Sequence, residues 1–148
     1  MAESCIITFG SEQYHLRLNL LSRPYVKSED RWDQNAIETL VTARTGVFQA
    51  KISTFIWPLE LERLRAILLD NKEQAGQAAK VVFELRDSGL EISFAPGRNN
   101  GIEVHVTIRE DLADSDASRL CFSVGIGRSD IPGLIEEIDE ALLWFPPI

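Results

Sequence analysis

About eight short runs, in which apolar and polar residues alternate, constrain the fold of this chain more than any other feature. The clearest runs are residues 14–20, 36–45, 47–57, 102–108 and 120–126. Alternation with a period of two is typical of strands that bury one face. The spacers between the runs are short, and short connections join antiparallel strands, whereas parallel strands need long crossovers. The sequence therefore predicts a mainly antiparallel sheet of about eight strands.

Two further segments have helical spacing, each after about four of the strand-like runs. Pro58 suits the first turn of the first helix, Ser129 or Asp130 can cap the second, and the prolines after Phe145 end it. The chain is therefore predicted to be an α+β domain with two helices packed on one face of the sheet. The apolar stripes consist of Leu61, Leu64 and Leu68 in the first helix, and Ile131, Leu134, Ile135, Ile138 and Leu142 in the second.

The two strand–helix units also align without a gap at an offset of half the chain. Pro58 then falls on Pro132, and Leu64 falls on Ile138. Any two amphipathic strand–helix units share such a pattern, so we expect two halves of similar shape rather than a true sequence repeat. Residues 1–148 are predicted to form a single domain, because the length is usual for one domain and no low-complexity linker separates the halves.

The charge balance favours some partners and disfavours others. The chain has 23 acidic and 15 basic residues, a net charge of −8, which argues against binding to nucleic acids or to anionic membranes. A basic protein partner remains open. No uncharged stretch approaches the roughly 18 residues of a membrane helix, and the N-terminus has no basic segment before its apolar run. We therefore expect a cytoplasmic protein in which Cys5 and Cys121 are reduced thiols.

A glycine pair before the last helix resembles a dinucleotide site. The fingerprint, however, needs a third glycine where Asp130 stands, and a further parallel strand. Asp130 also places a negative charge at the helix N-terminus, where a phosphate would bind. Gly125 and Gly127 are therefore interpreted as a strand end, and no cofactor is predicted.

The chain shows no motif for a metal site or for catalysis. Residues 110–116 are rich in carboxylates but lack the central glycine and the terminal glutamate of a calcium loop. His15 and His105 stand on the polar faces of different strands, without the spacing of metal ligands, and are predicted to be surface histidines. Neither Cys5 nor Cys121 belongs to a nucleophile signature. No catalytic residue and no metal ligand is predicted.

The last helix carries the candidate partner-binding surface. If the helix runs to Trp144, that tryptophan lies beside three carboxylates opposite the apolar stripe, an arrangement that suits a protein interface. Alternatively, Phe145 leaves helical geometry before Pro146, and Trp144 folds back against the sheet. Trp32, on a predicted acidic loop, presents the same two alternatives. The candidate residues are Glu136, Glu137, Glu140 and Trp144.

Several segments between residues 30 and 145 form a combination that resembles a known family. They are the start at Asp30–Trp32, Phe48 and Ala50 in the outgoing strand, the leucine-rich helix at Leu61–Leu68, and the "RLCFSV" strand before the "IPGLIEEIDEALL" helix. In this respect the chain resembles the WapI-type immunity proteins of bacterial toxin systems. The resemblance implies a non-catalytic protein that binds and neutralises a cognate toxin, often a nuclease, made by the same cell. An acidic surface would suit a basic toxin domain.

A second function remains open on the residues alone. It is a small-molecule-binding or enzymatic α+β domain with its pocket between a helix and the sheet. The sequence also leaves open whether the protein is a monomer or a homodimer. The neighbouring genes distinguish the two functions, since an upstream gene for a secreted toxin favours immunity.

Overall fold

A computed structural model of the protein describes residues 5–73, 81–84, 90–109 and 118–148. Apart from the short helix α1, the strands and helices follow one another in an order that repeats in the two halves of the chain. They are β1 (Cys5–Gly10), β2 (Tyr14–Ser22), α1 (Arg31–Asn35), β3 (Ile37–Thr45), β4 (Phe48–Ile56), α2 (Pro58–Glu73), β5 (Val81–Glu84), β6 (Leu90–Pro96), β7 (Ile102–Arg109), β8 (Arg119–Ile126) and α3 (Ile131–Trp144). Short 3-10 turns lie at Arg98–Asn100 and Arg128–Asp130.

The strands form two four-stranded antiparallel sheets, in the orders β1-β2-β3-β4 and β5-β6-β7-β8. The α+β class is confirmed, but the prediction of one sheet of about eight strands is wrong. Among the described residues, every pair of hydrogen-bonded strands is consecutive in the chain and belongs to one half. Helix α2 lies between β4 and β5, and these two strands do not pair, so the strands form two sheets. β1 and β8 contact each other across the two halves without forming a ladder.

The helices connect the two halves. α3, at the end of the second half, packs on β1 of the first half, while α2 contacts β5 and α3. Arg65 of α2 and Asp139 of α3 form an ion pair between the two helices. The two long helices occur where the sequence predicts them, and α1 is an additional helix that the sequence reasoning missed.

The apolar residues of both halves form one continuous core. Leu64 is 1% exposed and Ile138 is fully buried, which confirms the predicted burial of both. Tyr14 and Phe48, on the apolar faces of the predicted strands 14–20 and 47–57, are exposed instead. Both lie at the same end of the first sheet, where each is paired with Thr45, and a strand end has no core above it to bury an aromatic ring.

The helix ends follow the proline signals but not the predicted cap. α2 begins at Pro58, and α3 ends at Trp144, before the two prolines. The expected cap by Ser129 or Asp130 is wrong, because Asp130 occupies the N-cap position without a side-chain hydrogen bond to the helix. The turn at Arg128–Asp130 leads into α3 instead, and the Asp130 N–H donates to the Gly127 carbonyl oxygen at 2.9 Å.

Candidate functional site

The α3 ridge, which we define as Glu136, Glu137, Glu140 and Trp144, forms the outer face of the last helix. Glu136 and Glu140 are exposed and Glu137 is half-buried, while Trp144 is 44% exposed. The helix does run to Trp144, and Phe145, only 8% exposed, is the aromatic residue that turns inward. The alternative in which Trp144 packs against the sheet is therefore wrong.

The last residues of the chain are held in place by contacts on both sides. The Arg23 guanidinium lies over the Phe145 ring, 5.9 Å from its centroid, and also donates to the Pro146 carbonyl oxygen. The Ile148 N–H donates to Asn35 Oδ1 at 2.8 Å. Because these contacts fix Phe145 on the core side, Trp144 is left on the outer side of α3.

Glu137 differs from the other ridge glutamates in having a structural contact. Its Oε1 accepts a hydrogen bond from the Thr8 N–H at 3.0 Å, which means that this N–H of edge strand β1 points away from β2. Burial is the main cause that raises the pKa of Glu137, and Glu140 adds to it, whereas the Thr8 N–H and Arg17 oppose it. Glu137 thus joins α3 to the edge of the first sheet.

The two cysteines lie in different surroundings. Cys5, at the start of β1, is buried, and Cys121 on β8 is exposed, with its Sγ 3.6 Å from Thr107 Oγ1. Burial raises the pKa of the Cys5 thiol, and the nearby charges of Glu140 and Glu137 raise it further. The α3 ridge therefore lies beside the start of β1, and the Cys5 thiol below it stays protonated.

A cavity of about 580 Å³ opens between the edge strands β1 and β8 and the first turns of α3. We call it the acidic groove, because two carboxylates line it. A pocket between a helix and a sheet is also what the small-molecule interpretation of the sequence expects. The residues that line it include Thr8, Ser123, Gly125, Asp130, Gly133 and Glu137.

A second cavity, of about 380 Å³, lies beside a pair of stacked tryptophans. The rings of Trp32 and Trp57 are 4.5 Å apart and nearly parallel, and Trp57 Nε1 donates to the Trp32 carbonyl oxygen at 2.8 Å. Trp32 lies in α1, whose N-cap Asp30 accepts a hydrogen bond from the Trp32 N–H, so the predicted acidic loop is wrong here. Sequence reasoning missed Trp57, for which the available signal was its place directly before Pro58.

The other residues that the sequence singled out do not come together in one place. His15 is buried rather than on the surface, and its Nδ1 lies 2.9 Å from the Ser11 and 2.8 Å from the Glu12 carbonyl oxygen. His105 is half-exposed and contacts Ser123 Oγ at 2.7 Å. β8 ends at Ile126, which confirms that Gly125-Ile126-Gly127 is a strand end.

The described ranges contain neither a three-residue metal cluster nor a helix that could span a membrane. In them, no group of three or more His, Cys, Asp or Glu side chains could hold a metal ion. The acidic run at 110–116 lies outside the described residues. None of the helices within these ranges combines the length and the apolar character that crossing a bilayer requires.

Comparisons with known proteins give a fold and a family. The solved structure described as crystal structures of Trypanosoma brucei MRP1/MRP2 contains a similar chain, with a TM-score of 0.52 and 13% sequence identity over 97% of this chain and 86% of that one. At that identity the likeness concerns the fold alone. No curated protein matches the chain significantly. A family model described as Immunity protein WapI-like family matches residues 6–146.

Proposed function

We propose that this chain, which belongs to the WapI-like immunity protein family, protects the cell that makes it by binding and neutralising a cognate bacterial toxin. The family match over residues 6–146 is the observation that carries the proposal. The protein acts by stoichiometric binding rather than by catalysis, and the toxin is its protein partner.

The α3 ridge is the leading candidate for that surface. Glu136 and Glu140 are exposed and form no ion pair with any described residue, so their charges are available to a partner. Trp144 offers an aromatic side chain next to them. Together with the net charge of −8, the ridge suits a basic toxin domain: the carboxylates steer the encounter, and the tryptophan anchors the complex.

Co-expression tests the function directly. The toxin domain encoded next to this chain should arrest growth when expressed alone and should be tolerated when this protein is present. The two should also purify as a complex. Arrest that persists in the presence of the folded protein, with no complex formed, would contradict the proposal.

Charge reversal tests the role of the ridge in association. The double variant Glu136→Lys/Glu140→Lys should slow association at low salt roughly tenfold or more, and should reduce its salt dependence, because exposed charges act mainly through steering. Glu137 is left intact, since it holds the Thr8 N–H. The control is Glu62→Lys/Asp70→Lys, which makes the same change in net charge on exposed positions of α2. Equal slowing by both variants would show that only net charge matters.

Truncation of the tryptophan tests its role in holding the complex. Trp144→Ala should speed dissociation, with a loss of about 2 kcal/mol or more in binding free energy, as expected for an interface hot spot. Val47→Ala, at a position that is 90% exposed in the β3–β4 turn, is the control and should leave the rates unchanged. Unchanged dissociation of Trp144→Ala would move the search to the surface around Trp32.

A further inference from the structure

Two glycines that line the acidic groove have no steric reason to be glycine. A Cβ built on Gly125 or on Gly133 meets no atom within 4 Å, and neither residue needs a positive φ. At Gly10 and Gly101, by contrast, a Cβ would lie 2.2 and 2.4 Å from a backbone oxygen. Glycine costs about 1 kcal/mol relative to alanine inside a helix, and it also weakens a strand. Neither packing nor backbone conformation requires glycine at these two positions, and what both residues provide is open space in the groove.

The carboxylates of the groove flank one of these glycines. Asp130, Gly133 and Glu137 follow the i, i+3, i+7 spacing of α3, which places them on one helix face over about 10 Å. Asp130 makes no capping bond, and only Oε1 of Glu137 contacts the Thr8 N–H. Neither carboxylate is ion-paired with a described residue. The groove therefore presents negative charge, and none of its lining residues is basic; Arg17, the cation that acts on Glu137, does not line it.

The walls of the groove are edge strands. β1 and β8 are the outer strands of their sheets. The outward N–H of Thr8 on β1 is already occupied by Glu137. On β8, Gly125 has no side chain to hold off an approaching backbone, and glycine in a strand commonly marks such a close approach. β1 and β8 contact each other, but the space beside Gly125 stays open, so the groove can receive a side chain of another protein.

We propose that the acidic groove receives a lysine or arginine side chain of the toxin, with Asp130 and Glu137 as its charge partners. Gly125 and Gly133 keep the entrance open. This inference rests on the proposed function and specifies its partner chemistry: a basic residue, bound where the groove meets the α3 ridge at Glu137.

Filling the groove tests the proposal with a stable protein. Gly133→Gln places a side chain in the open space and should weaken toxin binding at least tenfold, while the melting temperature stays at or above that of the wild type, because any residue other than proline favours the helix more than glycine. Leu59→Gln is the control, since Leu59 occupies the corresponding position of α2 and is 46% exposed. Wild-type affinity of a folded Gly133→Gln variant would overturn the proposal.

A toxin-free probe separates this proposal from the proposed function. N-acetyl-arginine methylamide, titrated to millimolar concentration, should give saturable NMR shifts at the amides of Gly125 and Gly133. Gly133→Gln should abolish these shifts, and N-acetyl-alanine methylamide should not produce them. If the probe binds but the toxin does not, the groove is supported as a site for a basic side chain and the immunity function is rejected. If the toxin binds while neither the probe nor Gly133→Gln has an effect, the groove fails alone.

The remaining outcomes also decide the question. Weaker toxin binding by Gly133→Gln without probe shifts would overturn the assignment of a basic side chain to the groove. Binding of the probe at micromolar concentration would identify a small-molecule site and overturn the proposal of a toxin side chain. Failure of both the toxin and the probe to bind would reject both proposals.

Discussion

The first turns of α2 and α3 occupy equivalent positions in the two halves but border cavities of opposite chemistry. In the half-chain alignment, Leu59 falls on Gly133. Leu59 lines the cavity beside the stacked tryptophans, and Gly133 lines the acidic groove. The buried stripes correspond, as Leu64 and Ile138 show. The two halves therefore bury equivalent positions, while their outward-facing positions differ. Packing does not require the difference between Leu59 and Gly133, so this difference indicates a functional role.

The strand-to-helix junctions differ in the same way. β4 runs to Ile56, and the next residue, Trp57, donates its N–H to Glu60 Oε1 at 3.2 Å, in buried surroundings. β8 ends at Ile126, and the Arg128–Asp130 turn precedes a helix that has no side-chain cap. At the start of α2, the Glu60 carboxylate thus accepts a backbone hydrogen bond. At the start of α3, the Asp130 carboxylate makes no capping hydrogen bond and lines the groove.

The largest expected effect tests whether the two stripes are equivalent. Leu64→Ala and Ile138→Ala should each reduce the free energy of unfolding by about 2–5 kcal/mol, because each removes a buried side chain and leaves a cavity. Denaturant melts measure the loss. A change below about 1 kcal/mol in either variant, near the resolution of such melts, would break the equivalence of the two helices.

A smaller effect distinguishes structural from open glycines. Gly10→Ala should cost on the order of 2–3 kcal/mol, because Gly10 has a φ of +103° and a Cβ there would clash with the Tyr14 carbonyl oxygen and with Val124. Gly125→Ala should lie within about 0.5 kcal/mol of the wild type, since a Cβ meets no neighbour there. Similar losses in both variants would show that Gly125 is needed for the fold, which would remove one support of the groove proposal.

The elements of this fold were predictable because their causes are local. Alternation identified β3 and β4 to within one residue of the observed ends, the proline at 58 located the start of α2, and the paired prolines located the end of α3. The exposure of Glu136, Glu140 and Trp144 followed from helical spacing alone, whereas Glu137 is half-buried against β1. An apolar period of two or of 3.6 residues indicates which face of a strand or helix is buried, whatever element packs against that face.

The arrangement of those elements was not predictable, because contacts between distant parts of the chain decide it. The division into two sheets depends on which strands pair, and alternation is the same in either arrangement. The Thr8–Glu137 hydrogen bond joins residues 129 positions apart, and the acidic groove combines β1, β8 and α3. The polar strand face of His15 predicts a surface position, whereas the fold buries this residue with its Nδ1 beside two carbonyl oxygens of the preceding turn.

The smallest predicted effect concerns the charge that joins α3 to β1. Burial raises the folded-state pKa of Glu137 above its unfolded value, so the folded protein binds this proton more tightly than the unfolded chain does. Stability from this group therefore increases as pH falls through the raised pKa, and the gain is complete below the ordinary glutamate pKa of about 4.3.

Denaturant melts between neutral pH and that value should show this gain in the wild type and its loss in Glu137→Gln, whose amide oxygen can still accept the Thr8 N–H. Glu136→Gln, which removes an exposed carboxylate from the same helix, is the matched control. Parallel profiles for wild type and Glu137→Gln would mean that the Glu137 carboxylate is solvated, and that the second half holds no buried charge beside its groove.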